Sequence, residues 1–313
     1  MRETDVPVQE RFPDGANLTD APFDRADRAP ARIVARRRVP AAGGDAWSAV
    51  TAGEFAADVA RLAKGLIAVG IEPGDRIALM ARTRYEWTVL DYAIWAAGGV
   101  TVPVYETSSA EQVAWILGDS GARGIFVETA GNRSAVAAVR GSLPGLAHVC
   151  GLEPDDLDRL AAWGAAVSDE ELTARRRSRR AADLATIVYT SGTTGRPRGC
   201  ELTHANFLAT ARNVVLAGVP EITGDGASTL LFLPLAHVFA RLVQVGCVEC
   251  GMVLAHGTPG TLQDDLGTFH PTFLLAVPRV FEKVYNGAAQ RAEADGKGKI
   301  FAAAADTAVA YSQ

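Results

Sequence analysis

The sequence lacks the features of several common protein classes. It has no uninterrupted apolar run of membrane-spanning length, and its N-terminus carries acidic residues instead of an apolar signal core. The net charge of −5 gives no basic excess for general nucleic-acid binding. The Gly-Lys-Ser/Thr sequence of the common P-loop is also absent. We therefore expect a cytoplasmic protein without nucleic-acid partners.

Cysteine is scarce as well, with four residues in a chain of 313. Cys247 and Cys250 have the spacing of a zinc knuckle, but no second cysteine pair or histidine pair completes a tetrahedral set. We interpret these two residues as part of the hydrophobic core.

Apolar residues make up 48% of the chain, enough to bury a sizeable core. From about residue 46 onward, β-branched runs alternate with helical periodicity, and capping patterns occur at Thr51 and at Ser108–Glu111. This alternation predicts an α/β fold with mostly parallel sheets flanked by helices. Pro103 indicates the end or the edge of its strand, and Pro271–Val277 is expected to be a further strand.

The first 45 residues differ from the rest. They are rich in Pro, Asp, Arg and Gly and have little periodicity, so we expect residues 1–45 to form a loosely ordered arm. Within this arm a short strand is expected near Ala31–Val39.

The stretch from Thr186 to Cys200 carries the strongest functional signal. It begins as a buried strand and then breaks into a loop made only of glycine and hydroxyl residues, Thr190-Ser191-Gly192-Thr193-Thr194-Gly195. Glycines allow successive N–H groups to converge on one anion, hydroxyls add donors, and Arg196 and Arg198 add positive charge. This composition predicts a polyphosphate-binding loop, with a plain Ser/Thr/Gly linker as the alternative.

The segment Tyr189–Gly199 resembles the phosphate-loop signature of the acyl-adenylate-forming (AMP-binding) enzymes, which include acyl-CoA synthetases, luciferases and peptide-synthetase adenylation domains. The chain departs at one position, because the family usually has Lys where this chain has Arg198, and the two side chains are not interchangeable. Four more blocks are similar to the family and to its long-chain fatty acyl branch: Gly65–Ala78, Tyr105–Val113, Leu233–Arg241 and Ala276–Tyr285.

Other segments of the family have no counterpart in the chain. These are a Tyr-Gly-x-Thr-Glu segment that holds adenine and gives a carboxylate to magnesium, a ribose-binding Asp, a hinge, and a small mobile domain with a catalytic Lys. The resemblance therefore implies that residues 46–313 are an incomplete N-terminal part of the AMP-binding adenylation fold. We expect a fragment of about half the enzyme.

The resemblance also implies roles for particular residues. Thr190, Ser191, Gly192, Thr193, Thr194, Gly195 and Arg198 would bind ATP, and the Thr190 hydroxyl would contact Mg²⁺. Arg198 would neutralise the departing pyrophosphate. His237 would hydrogen-bond the fatty carboxylate; a buried His satisfied by backbone is the alternative. Arg241, in a matching block, is expected to form a structural ion pair.

Three functions remain open from the sequence. The first is activation of a long-chain fatty acid with ATP to acyl-AMP and then, with coenzyme A, to acyl-CoA. The second is an acyl-AMP ligase that loads a carrier protein, and the third is a non-catalytic acyl- or nucleotide-binding remnant. The basic run Arg175–Arg180 could make a peripheral contact with acidic lipid at the inner membrane face, or it could be a solvated helix end or linker. The oligomeric state is not determined by the sequence.

Overall fold

The computed structural model describes residues 12–40, 46–190, 196–216, 222 and 224–312. The chain divides into two units, Met1–Phe273 and Leu274–Gln313. Within the described residues, the first unit holds all the strands and most of the helices. None of the helices in the described ranges is long and apolar enough to cross a membrane.

The strands are β1 (Ile33–Val39), β2 (Ala46–Thr51), β3 (Arg76–Met80), β4 (Val100–Val104), β5 (Gly124–Val127), β6 (His148–Gly151), β7 (Leu184–Thr190), β8 (Arg198–Thr203), β9 (Ser228–Leu231) and β10 (Val253–His256). The helices are α1 (Asp20–Arg28), α2 (Ala52–Ala68), α3 (Tyr85–Ala96), α4 (Ala110–Ser120), α5 (Ala130–Val139), α6 (Pro154–Trp163), α7 (Asp169–Arg177), α8 (His204–Leu216), α9 (Val238–Cys250), α10 (Leu262–Phe269), α11 (Pro278–Ala294) and α12 (Gly298–Ser312).

Two sheets organise the first unit. The six-stranded sheet has the order β6-β5-β3-β4-β7-β8, and only its last strand, β8, runs antiparallel to its neighbour. The four-stranded sheet has the order β2-β1-β10-β9, with β2 antiparallel and the other pairs parallel. The predicted α/β fold with mostly parallel sheets flanked by helices is therefore confirmed.

Helix α3 joins the two sheets. All of its residues except Glu86 are buried, as expected of a helix that is apolar on every side. The indole Nε1 of Trp95 donates to the Ala185 carbonyl in β7 at 2.7 Å, and the Thr88 hydroxyl lies 2.8 Å from Nε2 of His256 in β10. The helix thus fixes β7 relative to the second sheet.

Both predicted capping boxes are present, one of them shifted by one residue. The Thr51 hydroxyl accepts from the Glu54 N–H, and the Glu54 carboxylate accepts from the Thr51 N–H, as predicted. The box expected at Ser108 lies one residue later, where Ser109 and Gln112 cap each other. The amide of Gln112 can accept from the N-cap N–H as a carboxylate does, so both pairings satisfy the same rule.

Of two strand expectations, one was wrong. Pro103 is the next-to-last residue of β4, which agrees with the predicted strand end, although β4 lies in the interior of the six-stranded sheet and not at its edge. The pairing of β4 with β7 is limited to Thr101 and Thr186, before the residue without an N–H group. Pro271–Val277 is not a strand; Phe273 alone forms an isolated bridge to Thr229.

The N-terminal arm is more regular than expected in residues 12–40. The predicted short strand is present as β1, which pairs with β2 and β10, and α1 precedes it. Burial explains why this segment has regular structure, because Leu18 has no exposed surface and Ala35 is buried in the sheet. Residues 1–11 and 41–45 lie outside the described residues, and the boundary at residue 46 stays a prediction.

The second unit consists of α11 and α12. Pro278 occupies the first turn of α11, where the missing N–H costs no hydrogen bond. The rings of Tyr285 and Phe301 contact each other with centroids 5.3 Å apart, which holds the two helices together.

Candidate active site

The predicted phosphate loop follows β7, at the carboxyl end of a parallel strand. β7 is buried from Ala185 to Tyr189 and becomes exposed at Thr190. The chain returns as β8, and the register places Thr190 opposite Arg198. Ser191, Gly192, Thr193, Thr194 and Gly195 lie outside the described residues, so their predicted contacts stay predictions. Both described ends of the loop lie where open α/β sheets bind ligands.

The base of this hairpin is held by local contacts. The Trp115 Nε1 donates to the Pro197 carbonyl at 2.8 Å, and the Arg196 guanidinium lies 4.7 Å from the centre of the Trp115 ring. A Cβ at Gly199 would approach Ile187 to 2.7 Å, so only glycine fits between the two strands. Cys200 is exposed, and its Sγ lies 3.9 Å from the Thr190 Oγ1.

His237 occupies the N-cap of α9. Its Nδ1 accepts from the Phe239 N–H at 3.2 Å, so in the neutral ring the proton is on Nε2. The side chain is exposed, which contradicts the alternative of a buried histidine satisfied by backbone. The backbone contact uses one ring nitrogen and leaves Nε2 as a donor.

A cavity of about 300 Å³ brings two of the predicted residues together. Thr190 and His237 both line it, although they are 47 positions apart in the sequence. Its other walls come from the segment after β4, from α4, from β7 and from the start of α9: Tyr105, Ser108, Gln112, Ile116, Val188, Tyr189, Pro197, Ala236 and Val238. Arg198 is not among the lining residues, but its pairing with Thr190 places its backbone next to the cavity.

The metal prediction fits only in part. Thr190 can offer one hydroxyl oxygen, but the residues that line the cavity include no carboxylate. Mg²⁺ takes octahedral oxygen coordination, usually with one or two carboxylates and substrate phosphates. No group of three His, Cys, Asp or Glu side chains that could hold a metal ion occurs in the described ranges. These residues do not complete a magnesium site.

A buried ion pair lies directly behind the site. Arg241 and Asp91 have no exposed side-chain surface, and the guanidinium donates to both carboxylate oxygens at 2.6–3.2 Å. Arg241 also donates to the Thr186 hydroxyl, and the Gln244 amide donates to Asp91 at 2.9 Å. The rings of Trp87, Trp95 and Phe207 surround the guanidinium at 5.4–5.5 Å. The structural ion pair predicted for Arg241 is confirmed.

This network ties β7 to α9. Thr186 precedes Thr190 by four residues on β7, and Arg241 follows His237 by four residues on α9. The contact between Thr186 and Arg241 therefore sets the distance between the two residues that meet in the cavity. Sequence reasoning missed Asp91, although a carboxylate in the middle of a predominantly apolar helix requires a buried partner.

The remaining predicted features lie away from the cavity. Cys247 is fully buried in α9 and Cys250, at its end, is half-buried, which confirms core packing for this pair. In the basic run, Arg175 donates to the Ile71 carbonyl at 3.1 Å, Arg176 is buried over the Phe23 ring, and Arg179 pairs with Asp183. Much of the run therefore serves internal contacts at the end of α7.

Comparison with known proteins identifies the family. The AMP-binding enzyme family matches residues 23–308. The long-chain-fatty-acid–CoA ligase FadD15 of Mycobacterium bovis is 43% identical over 317 residues, which cover 100% of this chain and 52% of the relative. The peroxisomal long chain acyl-CoA synthetase 7 of Arabidopsis thaliana is 30% identical over 270 residues, 82% of this chain and 38% of the relative.

Solved structures show the same fold. A long-chain-fatty-acid–CoA ligase (FadD1) from Archaeoglobus fulgidus aligns with a TM-score of 0.73 at 20% identity, covering 90% of this chain and 56% of that chain. ATP-bound MatB from Rhodopseudomonas palustris aligns with a TM-score of 0.69 at 26% identity, covering 86% and 50%. The chain spans about half the length of the FadD15 relative. On the match of residues 23–308, this chain belongs to the family of AMP-binding enzymes.

Proposed function

We propose that this chain carries the phosphate-binding and carboxylate-binding part of an enzyme that activates long-chain fatty acids with ATP. The fatty carboxylate attacks the α-phosphorus, pyrophosphate leaves, and an acyl-AMP mixed anhydride forms. The thiolate of coenzyme A then attacks the acyl carbon and expels AMP. The observation that carries the proposal is the meeting of Thr190 and His237 in one cavity at the carboxyl end of β7. The 43% identity to a long-chain-fatty-acid–CoA ligase supports the choice of substrate.

The residues contribute by position and charge. Phosphoryl transfer requires little covalent help, so donors and cations that face the developing charge supply most of the effect. Thr190 to Gly195 hold the β- and γ-phosphates through N–H and hydroxyl donors, and Arg198 neutralises the pyrophosphate. His237 donates from Nε2 to an oxygen of the fatty carboxylate and orients it toward the α-phosphorus. Mg²⁺ is the expected companion of ATP.

The proposal also covers the part of the adenylation fold that this chain forms and its location in the cell. Residues 46–313 form the N-terminal part of the adenylation fold, and the enzyme works in the cytoplasm. The internal contacts of Arg175, Arg176 and Arg179 support the helix-end interpretation of the basic run over a lipid contact.

Cys200 provides a direct test of phosphate binding. It is exposed beside Thr190, whereas burial raises the pKa of the Cys150 thiol to about 11 and also raises the pKa of Cys247 and Cys250. Because the thiolate is the reactive form, a maleimide should modify Cys200 first, and Cys200→Ser should abolish this fast phase. We expect MgATP and magnesium pyrophosphate to slow the modification, and Arg198→Ala and Thr193→Val to remove that protection.

Equal labelling rates with and without these ligands would exclude a phosphate site at the hairpin. Fatty-acid-dependent ATP–pyrophosphate exchange with palmitate then separates the open functions. We expect no exchange from this chain alone, because the sequence has no counterpart of the adenine- and ribose-binding segments. Exchange appearing in a protein that also carries those segments supports adenylation. Protection without exchange in that protein would favour the nucleotide-binding alternative.

A further inference from the structure

A second cavity lies at the opposite edge of the six-stranded sheet. Its volume is about 330 Å³, similar to that of the candidate active site and within the size range of small-molecule sites. It lies beside β6, the edge strand, and α6. Three strands, β5, β3 and β4, separate β6 from β7. The cavity is therefore distinct from the one that Thr190 and His237 line.

The floor of this groove is apolar and reaches the core of the unit. Ile77 and Phe126 project from the sheet, and Leu66 and Leu160 come from α2 and α6. These four side chains are at most 3% exposed, yet they line the cavity. Trp163, at the end of α6, closes one side and keeps 55% of its surface exposed. Such a floor suits a hydrocarbon chain, which gains free energy when its surface leaves water.

The rim of the groove carries an excess of positive charge. Arg133, Arg140 and Arg159 line it, against a single carboxylate, that of Asp156. Arg133 and Arg159 share this carboxylate and keep 50% and 59% of their side-chain surface exposed. Arg140 donates to the Ala147 carbonyl at 3.0 Å, a neutral partner that leaves its charge uncompensated.

The arginines also act on a neighbouring histidine. Burial lowers the pKa of His148, which lines the groove, and the charges of Arg123 and Arg140 lower it further. Burial disfavours a charge of either sign, but these two positive charges favour an anion over a cation at this position.

We propose that this groove is a second binding site for a long-chain fatty carboxylate, separate from the candidate active site. The carboxylate binds the arginine rim, and the chain lies along the apolar floor beside Trp163. Guanidinium groups form charge-assisted hydrogen bonds with carboxylates, often two at a time. The inference rests on the proposed function only for the identity of the ligand. A site of this kind would let the protein hold fatty acid without occupying the cavity where ATP reacts.

Two tryptophans report on the two cavities independently. Trp163 lines the groove, whereas Trp115 contacts Pro197 at the base of the β7–β8 hairpin, on the helix that also carries Gln112 and Ile116 of the candidate active site. A fatty acid with bromine atoms on its chain quenches a tryptophan that it touches. The probe is 9,10-dibromostearate, titrated below the concentration at which it aggregates, with Trp163→Phe and Trp115→Phe as reporters by difference.

We expect dibromostearate to quench the wild-type chain and Trp163→Phe to lose that part of the quenching. The double variant Arg133→Gln/Arg140→Gln should weaken the quenching of Trp163 by at least about tenfold in Kd, because two charged donors are lost. The control Arg28→Gln/Arg36→Gln removes the same charge from exposed positions elsewhere and should bind normally. The methyl ester of the probe, which has no charge, should bind as weakly as the double glutamine variant.

Equal Kd values for the two double variants would overturn the proposal, as would full quenching in Trp163→Phe. If only Trp115 is quenched, fatty acid binds the candidate active site alone; the groove proposal then fails and the proposed function survives. If only Trp163 is quenched, the groove proposal stands, and the fatty acid subsite of the proposed function loses its support in this chain. The two failures are therefore distinguishable.

Discussion

Arg198 and Arg241 belong to the two elements that border the candidate active site, and their surroundings differ in almost every respect. Arg198 begins β8, is exposed, and faces Thr190 across the hairpin. Arg241 has no exposed surface and is held by Asp91, by Thr186 and by three aromatic rings. An exposed guanidinium can meet a ligand that comes and goes. An enclosed one can act only on the position of the elements that it joins.

The comparison gives Arg241 a positioning role, and the exposure of Arg198 is compatible with the phosphate contact proposed for it. It also explains why a sequence motif can name the first and not the second. Arg198 lies within a continuous phosphate-loop signature, whereas the partner of Arg241 lies 150 positions away in the sequence. Variants at each position can test whether the two arginines have these different roles.

The largest effect is expected from Arg241→Met. The change leaves the Asp91 carboxylate buried without its cation, and breaking a buried pair in this way costs about 3–5 kcal/mol of unfolding free energy. Denaturant unfolding of the purified chain measures it. The double variant Arg241→Met/Asp91→Leu replaces the whole pair with apolar side chains and should recover most of the loss. A single variant as stable as wild type would contradict the positioning role.

Thr186→Val is expected to have a smaller effect on the same network. It removes the hydroxyl that accepts from Arg241 and donates to the Thr101 carbonyl at 2.6 Å. Leaving buried polar groups without partners costs about 1–3 kcal/mol. The ion pair between Arg241 and Asp91 remains, so this variant tests the link to β7 alone. We also expect weaker protection of Cys200 by MgATP, because Thr190 is four residues further along the same strand. Protection equal to wild type would separate the network from the site.

Two histidines, His204 and His256, are buried like Arg241. Burial lowers the pKa of His204 and of His256 to about 4, from an ordinary value of 6.5. Between these pH values the unfolded chain binds protons that the folded chain does not, so stability falls as the pH falls from 6.5 toward 4. The slope is at most about 1.4 kcal/mol per pH unit for each histidine. Unfolding free energies measured at several pH values test this.

His204→Asn should remove about half of that slope. The amide oxygen of Asn can replace the ring Nδ1, which accepts from the Leu18 N–H at 3.3 Å, without binding a proton. The Thr186→Val variant serves as the control: it keeps both histidines and should show the same dependence of unfolding free energy on pH as the wild type. A slope that is the same in the wild type and in His204→Asn would mean that His204 is not buried in its neutral form.

The difference between local and long-range contacts shows how much of the fold could be predicted from the sequence. The strand β7 and the capping box at Thr51 could be predicted from the sequence, because periodicity and capping residues are local signals. β8 was missed because four of its six residues are exposed, so it has no alternation of apolar and polar side chains. The strand expected at Pro271–Val277 was wrong because an apolar run does not by itself supply a neighbouring strand to pair with.

Only those residues of the candidate site that are proposed to contact a ligand could be predicted from the sequence. The resemblance supplied Thr190, Arg198 and His237, but no sequence signal places Tyr105 or Ser108 in the same cavity. Those residues arrive there because β4 and β7 are adjacent in the sheet, and that adjacency depends on the whole strand order. Asp91 is the exception, since its chemistry alone required a buried cation.

Replacing Arg198 or Arg241 by lysine is expected to have the smallest effects and tests the difference between the two arginines most directly. Arg198→Lys keeps the charge on an exposed strand and should change the unfolding free energy by no more than about 0.5 kcal/mol. Cys200 should stay protected by MgATP, because a phosphate accepts donors from either cation. Arg241→Lys keeps the charge but loses the fork that donates to Asp91 and Thr186 at once, and it should destabilise the chain by roughly 1–3 kcal/mol. If both lysine variants behave alike, in stability and in Cys200 protection, then burial does not divide the two arginines into a binding and a positioning residue.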